Sequence, residues 1–443
     1  MNRALAGYYK TKLIFNQKRS ISFLLFFLGL LFFPFFKRAA VRLFMQSHRM
    51  KNRSYVVSFC LRNNLFSDQF IGRMYSNKVS AQAAAKRTII LSYPDFSGSE
   101  VATKGVCLIT FTDTLGFYLN NIQLDMLEKY FHIVLEPSSS GYLDPDIIGW
   151  MNKCSSKVFI QTTEISDRVL LESAFHNFKV LSFGASDWVD NRFFNAEKDN
   201  KMYDSIYVAN CNPVKRVVRF FLAVQAIIKT YPTYKACLVC AEWGVYTIND
   251  YRDLAKQYGI CKNIDLKFSL SQQELVVLFG KSKVNVLLSF KEGSNRSLFE
   301  SIFADVPVLL VAENVGTNKA YINESTGRLV HDSFLEDALI FMAASWHEYH
   351  PRQWAMANIS PELTTGKLRD AIYSDCKLEN RPSLLVKTNN PEVNYFDYKS
   401  IDNSFFSMDL IQLFEKSQDA QDCQARIEEI KARFRSELAN KAS

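Results

Sequence analysis

Hydrophobic residues in the first half of the chain form short runs that are separated by amphipathic stretches. Two of these stretches, Leu119–Tyr130 and Asp167–Phe175, have the spacing of helices that cover one side of a sheet. Alternation of short apolar runs with helices predicts a doubly wound α/β domain with a parallel sheet. The predicted strands are Thr88–Ser92, Val106–Phe111, Ile133–Leu135, Val158–Gln161 and Val180–Phe183.

The same alternation returns after residue 200 and predicts a second α/β domain. Its predicted strands are Ser205–Asn210, Ala236–Ala241, Ile264–Leu270, Val284–Phe290 and Val306–Val311. Its predicted helices are Val217–Lys229, Asp250–Tyr258, Gln272–Lys281 and Leu335–Trp346, and the stretch Pro351–Tyr373 is also expected to be helical.

The most informative stretch is the loop that follows the predicted strand Val284–Phe290. A polar turn leads from this strand into a short predicted helix, Ser297–Ala304. Loops at the carboxyl ends of parallel strands are where open α/β sheets bind ligands. The backbone N–H groups of Gly293, Ser294 and Asn295 are therefore expected to meet an anion at the start of the helix.

Two carboxylates, Glu292 and Glu300, bracket this loop with seven residues between them. Glu300 is predicted to lie on the first helical turn, so both side chains would face one crevice and accept hydrogen bonds from sugar hydroxyls. A structural alternative is open, because the sequence from Ser297 to Glu300 also fits a capping box, in which the glutamate only starts the helix.

The Glu-x7-Glu spacing of Glu292 and Glu300, with the Glu-Gly-x-x loop, resembles the donor site of retaining glycosyltransferases of family 4, the glycosyl transferases group 1. The downstream segment 314–330, which contains Gly316, is similar to the second glycine loop of that family and its closing Thr-Gly-x-Leu-Val. The resemblance implies the GT-B fold class, with two doubly wound Rossmann-like α/β domains that face each other across a cleft. It also implies transfer of a sugar from a nucleoside-diphosphate sugar to a glycan, lipid-linked or other acceptor with retention of configuration.

By this resemblance, Glu300 would bind the ribose hydroxyls and Glu292 the sugar hydroxyls. Gly293, Ser294, Asn295 and Gly316 would line the donor pocket. The family places an arginine and a lysine in the turn that corresponds to Cys211–Arg216, where they hold the donor diphosphate. Lys215, as a catalytic group with Glu292, and Arg216, as a donor-binding group, are expected to take this role. No metal ion and no cofactor besides the nucleotide sugar is then required.

The chain departs from the family pattern at several positions. Asn295 stands where a second glycine is usual, Lys319 stands where a glutamate is common, and Ala209 or Asn210 occupies the position of the first arginine. These departures leave two alternatives open. The chain could be a catalytically inactive protein that binds nucleotide sugars or glycans, or a membrane-tethered assembly factor.

An apolar run, Ile21–Phe36, lies near the N-terminus between the basic pairs Lys18-Arg19 and Lys37-Arg38. Because a spanning helix needs roughly 20 apolar residues, this run predicts a short anchor that spans or only inserts, with a buried helix as the alternative. The net charge of +8 suits an anionic ligand or a membrane surface and is too diffuse to predict nucleic-acid binding.

Nine scattered cysteines predict reduced thiols. The sequence Asn295-Arg296-Ser297 is a formal glycosylation acceptor inside the predicted active loop, where a glycan would block it. We therefore expect a membrane-associated protein whose catalytic domains face the cytoplasm. Asp144-Pro145-Asp146 is predicted to be a loop without a metal.

The charged helical pattern Gln421–Asn440 near the end of the chain is expected to be a solvated helix or tail. The predicted organisation of the chain has five parts. The parts are a basic segment with the anchor (1–50), an acceptor-side α/β domain (51–190), a donor-binding α/β domain (200–350), a returning helix (351–375) and a C-terminal extension (376–443).

Overall fold

The computed structural model describes residues 2–51, 54–196, 200–389, 394–396, 404–415 and 423–440. Its helices are α1 (Arg3–Asn16), α2 (Lys18–Phe32), α3 (Lys37–Met50), α4 (Ser54–Arg62), α5 (Asp68–Ile71), α6 (Ala81–Lys86), α7 (Thr112–Asn121), α8 (Leu124–Tyr130), α9 (Pro145–Lys153), α10 (Ile165–Ala174), α11 (Val217–Ile227), α12 (Ile248–Gln257), α13 (Gln272–Gly280), α14 (Arg296–Phe303), α15 (Leu335–Ser345), α16 (Pro351–Asn358), α17 (Pro361–Asp375), α18 (Ser404–Leu413) and α19 (Cys423–Asn440).

The strands are β1 (Thr88–Ser92), β2 (Asp95–Ser97), β3 (Glu100–Thr103), β4 (Gly105–Thr110), β5 (Phe131–Glu136), β6 (Val158–Gln161), β7 (Phe178–Leu181), β8 (Ser205–Cys211), β9 (Ala236–Gly244), β10 (Ile264–Phe268), β11 (Asn285–Leu287), β12 (Val308–Val311), β13 (Gly327–Val330), β14 (Lys387–Asn389) and β15 (Asn394–Phe396).

The chain packs into two compact units, and neither is continuous in sequence. Unit 1 contains Met1–Gln17 and Val189–Ser360, and unit 2 contains Lys18–Trp188 and Pro361–Ser443. The change of unit at Val189 lies beside residue 190, where the acceptor-side domain is predicted to end. Within the predicted N-terminal segment 1–50, residues 1–17 belong to unit 1 and residues 18–50 to unit 2.

Unit 1 is built on a parallel sheet with the strand order β10-β9-β8-β11-β12-β13. In chain order this is the 3-2-1-4-5-6 arrangement of dinucleotide-binding folds. The order reverses between β8 and β11, so the loops that follow these two strands diverge at the carboxyl edge. Such a reversal point is the usual ligand site of an open α/β sheet.

The sequence forms the centre of this sheet because β8, β11 and β12 are short runs that are largely buried on both faces. All four residues of β12 are fully buried, and the helices that cover the sheet contribute apolar side chains such as Phe220 of α11 and Phe299 of α14. The loops carry the polar residues. The helices are therefore held on the sheet by their buried apolar faces. The candidate site residues lie in the loops that follow the strands.

Unit 2 has a sheet with the order β1-β4-β5-β6-β7, in which β4 to β7 are parallel and β1 pairs antiparallel with β4 at one edge. Together with the parallel sheet of unit 1, this confirms the predicted α/β fold class with two largely parallel sheets, although the strands β4 to β7 follow one another without the reversal of a doubly wound sheet.

Three predictions in unit 2 differ at least in part from the structure. The predicted helix Leu119–Tyr130 is two helices, α7 and α8, because the backbone is extended at Ile122. The predicted loop Asp144-Pro145-Asp146 is the start of α9, in which Asp144 caps the N–H of Asp146. The predicted helical pattern near the C-terminus is confirmed as α19, and its first two residues lie outside the described part of the chain. The helix is not fully solvated, because Ile427, Ile430 and Phe434 are buried in unit 2.

The apolar run near the N-terminus forms α2, which lies against α3. Ser22 and Gly29 are buried on this side, and a Cβ atom at Gly29 would lie 2.5 Å from the ring of Phe44. None of the described helices is long and apolar enough by itself to cross a bilayer, whereas α1 and α2 together, broken by a bend, meet that test of length and composition.

Candidate donor site

Lys215 and Glu292 meet at the carboxyl edge of unit 1, where the strand order reverses. Lys215 ends a short 3-10 turn, Pro213–Lys215, that follows β8. Glu292 lies in the loop between β11 and α14. The Lys215 Nζ is 2.5 Å from Glu292 Oε1, and the two side chains are 13% and 9% exposed. The structure therefore brings the two residues that the sequence singles out as catalytic into one ion pair.

Arg216 occupies a different environment from its neighbour Lys215. Its backbone is left-handed, with φ of 56°, and it begins α11. Its guanidinium is 1% exposed, donates to the carbonyl oxygen of Leu288 at 3.1 Å and pairs with Asp332 at 2.7 Å. The predicted contact of Arg216 with the donor diphosphate is therefore wrong, because this side chain lies inside unit 1.

A charged network extends from Arg216 along α11. Arg219 donates to Asp332 at 3.2 Å and to Glu336 at 2.5 Å. Burial raises the pKa of Asp332, but the charges and hydrogen bonds of Arg216 and Arg219 outweigh it, so the pKa lies below its ordinary value. The network fixes the start of α11 against the segment that follows β13. Sequence analysis did not identify Arg219 or Asp332, which are far apart in the chain.

The loop after Glu292 caps α14 through Asn295. The Asn295 side chain accepts a hydrogen bond from the Leu298 N–H at 3.0 Å, so the helix begins at Arg296. Gly293 and Ser294 remain partly exposed before the cap. Asn295 thus replaces the glycine of the family pattern by a residue that satisfies a backbone donor of the helix.

Glu300 lies on the second turn of α14, one residue beyond the predicted first turn. The capping-box alternative is wrong, because Asn295 and not Ser297 is the cap. The Glu300 side chain is buried, and burial raises its pKa to about 7 against the opposing charge of Arg296. Among the residues that the structure describes, none donates a hydrogen bond to this carboxylate.

The second predicted loop lies directly beside the first. The N–H of Glu292 donates to the carbonyl oxygen of Val315 at 2.8 Å, and the Asn314 amide donates to the carbonyl oxygen of Ser289 at 2.8 Å. Gly316 follows with φ of 110°, a backbone conformation that favours glycine. The structure therefore places Gly316 next to the Glu292 loop, as predicted from the sequence order.

Phe290 joins the parts of the site, and sequence analysis assigned it only to a strand. Its N–H donates to the carbonyl oxygen of Val214 at 3.2 Å, and its carbonyl oxygen accepts from the Val315 N–H at 3.1 Å. The guanidinium carbon of Arg216 lies 4.1 Å from the centre of its ring. One residue thus contacts the Lys215 turn, the Gly316 loop and the buried arginine.

The part of the chain that contains this site matches a known family. Residues 189–346 match the family model described as glycosyl transferases group 1. Over these residues the chain is similar to glycosyl transferases group 1. The matched residues lie within unit 1 and contain every site residue described above. The predicted relationship to glycosyl transferases group 1 is thereby confirmed.

Several solved structures resemble the chain at low sequence identity. TarM from S. aureus matches with a TM-score of 0.47 and 16% identity, covering 60% of this chain and 55% of its own. Sucrose-phosphate synthase from Thermosynechococcus elongatus matches with a TM-score of 0.47 and 14% identity, covering 60% and 73%. Anabaena HepE, solved with UDP and glucose, matches with a TM-score of 0.44 and 10% identity, covering 60% and 77%.

The chain therefore spans only about half of the length of the TarM structure that it matches. No curated protein sequence matches the chain significantly.

Proposed function

We propose that the chain is a glycosyltransferase that moves a sugar from a nucleoside-diphosphate sugar to a glycan, lipid-linked or other acceptor with retention of configuration. The observation that carries the proposal is the Lys215–Glu292 pair at the strand-order reversal of the unit that matches glycosyl transferases group 1. A cation and a carboxylate at this edge suit a ligand that has both phosphates and hydroxyl groups.

In this proposal, donor binding breaks the Lys215–Glu292 ion pair of the ligand-free protein. The diphosphate replaces Glu292 as the partner of Lys215, and Glu292 is released to accept hydrogen bonds from the sugar. As the bond between sugar and diphosphate breaks, the sugar gains oxocarbenium character and negative charge develops on the leaving group. Lys215 stabilises this charge, and no metal ion is needed for that role.

Glu300 provides a test of the nucleotide part of the site. Its carboxylate accepts hydrogen bonds from ribose hydroxyls when it is ionised. Since its pKa is about 7 in the free protein, about a tenth of molecules are ionised at pH 6 and about nine tenths at pH 8. We expect a nucleotide sugar to bind about tenfold more weakly at pH 6 than at pH 8, measured by calorimetry, because each pKa unit corresponds to a factor of ten.

Glu300→Gln should remove this pH dependence and weaken binding at pH 8. Glu324→Gln, an exposed glutamate of the same unit, is the matched control and should behave as wild type. Glu300→Gln should also keep its stability as the pH rises from the ordinary glutamate value of 4.5 to about 7, whereas wild type loses stability there because its raised pKa favours the protonated folded form. A pH dependence that persists in Glu300→Gln would contradict the assigned role.

We further propose that the protein associates with a membrane surface and that its catalytic domains face the cytoplasm. The side of α2 that faces away from α3 is apolar and exposed, with Phe23 and Phe27 exposed by 59% and 52%. Phe35 and Phe36 extend this surface after α2. The basic pairs Lys18-Arg19 and Lys37-Arg38 flank it, and each basic residue near an anionic lipid surface contributes about 1 kcal/mol.

The membrane part is tested by replacing Phe23 and Phe27 together by serine. Burial of one phenylalanine contributes about 1.5–3 kcal/mol, so the double variant should bind vesicles of anionic lipid at least about tenfold more weakly in a sedimentation assay. Val277→Ser, which changes an exposed apolar residue of α13, should not alter binding. Equal binding of all three proteins would contradict a lipid-facing α2. Substitution is preferable to deletion of residues 1–40, because α1 and α2 both contribute buried residues.

The catalytic proposal is tested by incubating the protein with a panel of nucleoside-diphosphate sugars and glycan or lipid acceptors in the presence of a metal chelator. We expect release of a nucleoside diphosphate from one donor and a product of unchanged anomeric configuration by NMR. Binding of a donor without release would identify a catalytically inactive binding protein. A product of inverted configuration would contradict the retaining mechanism.

A further inference from the structure

Helix α1 is an integral part of unit 1, although the first segment of unit 2, Lys18–Trp188, separates it from the rest of unit 1 in the sequence. The Asn2 side chain donates to the carbonyl oxygen of Asp250 at 2.8 Å. Tyr8 is 2% exposed and belongs to the hydrophobic core of unit 1. A Cβ atom at Gly7 would lie 1.6 Å from the hydroxyl of Tyr246, so any other side chain at this position would displace the Tyr246 ring. These contacts hold α1 in place against the rest of unit 1.

The last turn of α1 carries Phe15 to the candidate donor site. Tyr8 and Phe15 are seven residues apart, close to two helical turns, so they lie on the same face of α1. The ring of Phe15 stacks on the ring of Phe290, with the centroids 4.1 Å apart and the planes at 13°. Offset aromatic stacking of this kind stabilises a defined orientation of both rings.

Phe290 transmits this contact to the site. Its backbone is hydrogen-bonded to Val214, next to Lys215, and to Val315, next to Gly316. Glu292 follows two residues later in the same loop. Support of the Phe290 ring therefore constrains the relative positions of Lys215 and Glu292, which belong to loops after different strands.

We propose that Phe15 is a positioning residue of the donor site, through which the N-terminal helix holds Lys215 and Glu292 in register. The inference rests on the proposed function in that it assigns Phe15 a part in donor turnover. Phe15 itself need not touch the donor.

The test compares steady-state turnover of wild type, Phe15→Ala, Phe15→Leu and the control Leu13→Ala. Leu13 lies on the same helix and is 56% exposed. Misplacement of reacting groups lowers the rate of the chemical step more than it lowers binding, so kcat of Phe15→Ala should fall about tenfold with little change in KM. Phe15→Leu, which retains an apolar contact, should recover part of the loss, and Leu13→Ala should not change kcat. Unchanged kcat in Phe15→Ala, or an equal loss in Leu13→Ala, would overturn the proposal.

A second measurement does not depend on turnover. Hydrogen exchange followed by mass spectrometry should show faster exchange of residues 288–293 and 313–317 in Phe15→Ala, while the β10 segment 264–268 exchanges as in wild type. If wild type turns over no donor but these two segments lose protection, the proposed function fails and the positioning contact stands. If the exchange of both segments is unchanged, Phe15 does not hold the site, whatever the activity of the protein.

Discussion

Replacement of Lys215 by alanine is expected to reduce donor turnover by about 10²–10³-fold, the loss typical when one preorganised group that stabilises developing charge is removed. The effect should fall mainly on kcat, because the charge on the diphosphate develops as the bond to the sugar breaks. The variant also removes the ion pair that Lys215 forms with Glu292 at 2.5 Å in the free protein. Turnover is measured by release of the nucleoside diphosphate at saturating donor and acceptor.

Lys283→Ala is the matched control for this variant. Lys283 forms an ion pair with Asp204 at 2.6 Å, but both residues precede their strands and lie at the amino edge of the same sheet. Loss of that pair should leave turnover unchanged, since parallel sheets bind ligands at the carboxyl edge. Equal activity of Lys215→Ala and wild type, with the donor saturating, would remove the phosphate-binding role from the turn after β8.

Arg216→Ala is expected to destabilise unit 1 by about 3 kcal/mol, because removal of one member of a buried ion pair leaves the other uncompensated. The variant also leaves the carbonyl oxygen of Leu288 without its donor. The pKa of Asp332 lies below its ordinary value, because the two arginines lower it by more than burial raises it. The pair therefore contributes stability above the ordinary carboxylate pKa, and this stability is lost as the pH falls. Urea denaturation near neutral pH measures the change in the free energy of unfolding.

Two further variants separate the causes of this loss. Arg216→Gly lacks the same side chain but accepts the left-handed backbone at φ of 56°, so it should be about 1 kcal/mol more stable than Arg216→Ala. Arg328→Ala removes an exposed arginine that stacks on Phe341 and should have a much smaller effect. Wild-type stability in Arg216→Ala would show that the Arg216–Asp332 pair is not a structural element of unit 1.

The sheets could be predicted from the sequence because buried parallel strands are continuous apolar runs. The predicted strands Thr88–Ser92 and Val158–Gln161 coincide with β1 and β6. Val284–Phe290 was predicted too long, since the sheet pairing stops at Leu287. Beyond that point, the backbone groups of Ser289 and Phe290 bind the neighbouring loops of the site instead of strands. Tertiary contacts of this kind cannot be identified from local periodicity.

The ends of the chain were the least predictable part. The contacts that hold α1 link residues such as Phe15 and Phe290, which are hundreds of positions apart in the sequence. No local pattern marks such a pair. By contrast, the apolar residues Ile427, Ile430 and Phe434 of α19 have the spacing of a buried helical face, and only the many charges between them favoured a solvated tail.

The sequence predicts the two carboxylates and the lysine of the candidate site. It does not predict the buried contacts that hold these residues in place. Glu292, Glu300 and Lys215 follow recognisable spacing within loops that end strands. Arg216 is adjacent to Lys215 and chemically similar, yet its left-handed backbone turns it into the unit toward Asp332. Sequence alone does not distinguish the two cations, because the partner that buries Arg216 lies on another segment of the same unit.

The central claim is that a donor nucleotide binds at the carboxyl edge of unit 1, between the loops that follow β8 and β11. Hydrogen exchange with and without a saturating nucleoside-diphosphate sugar tests it most directly. The account predicts that the donor slows exchange in the segments 212–217, 288–300 and 314–318, and that this protection is weaker in Glu300→Gln. Donor binding with unchanged exchange in these three segments and protection elsewhere in the chain would contradict it.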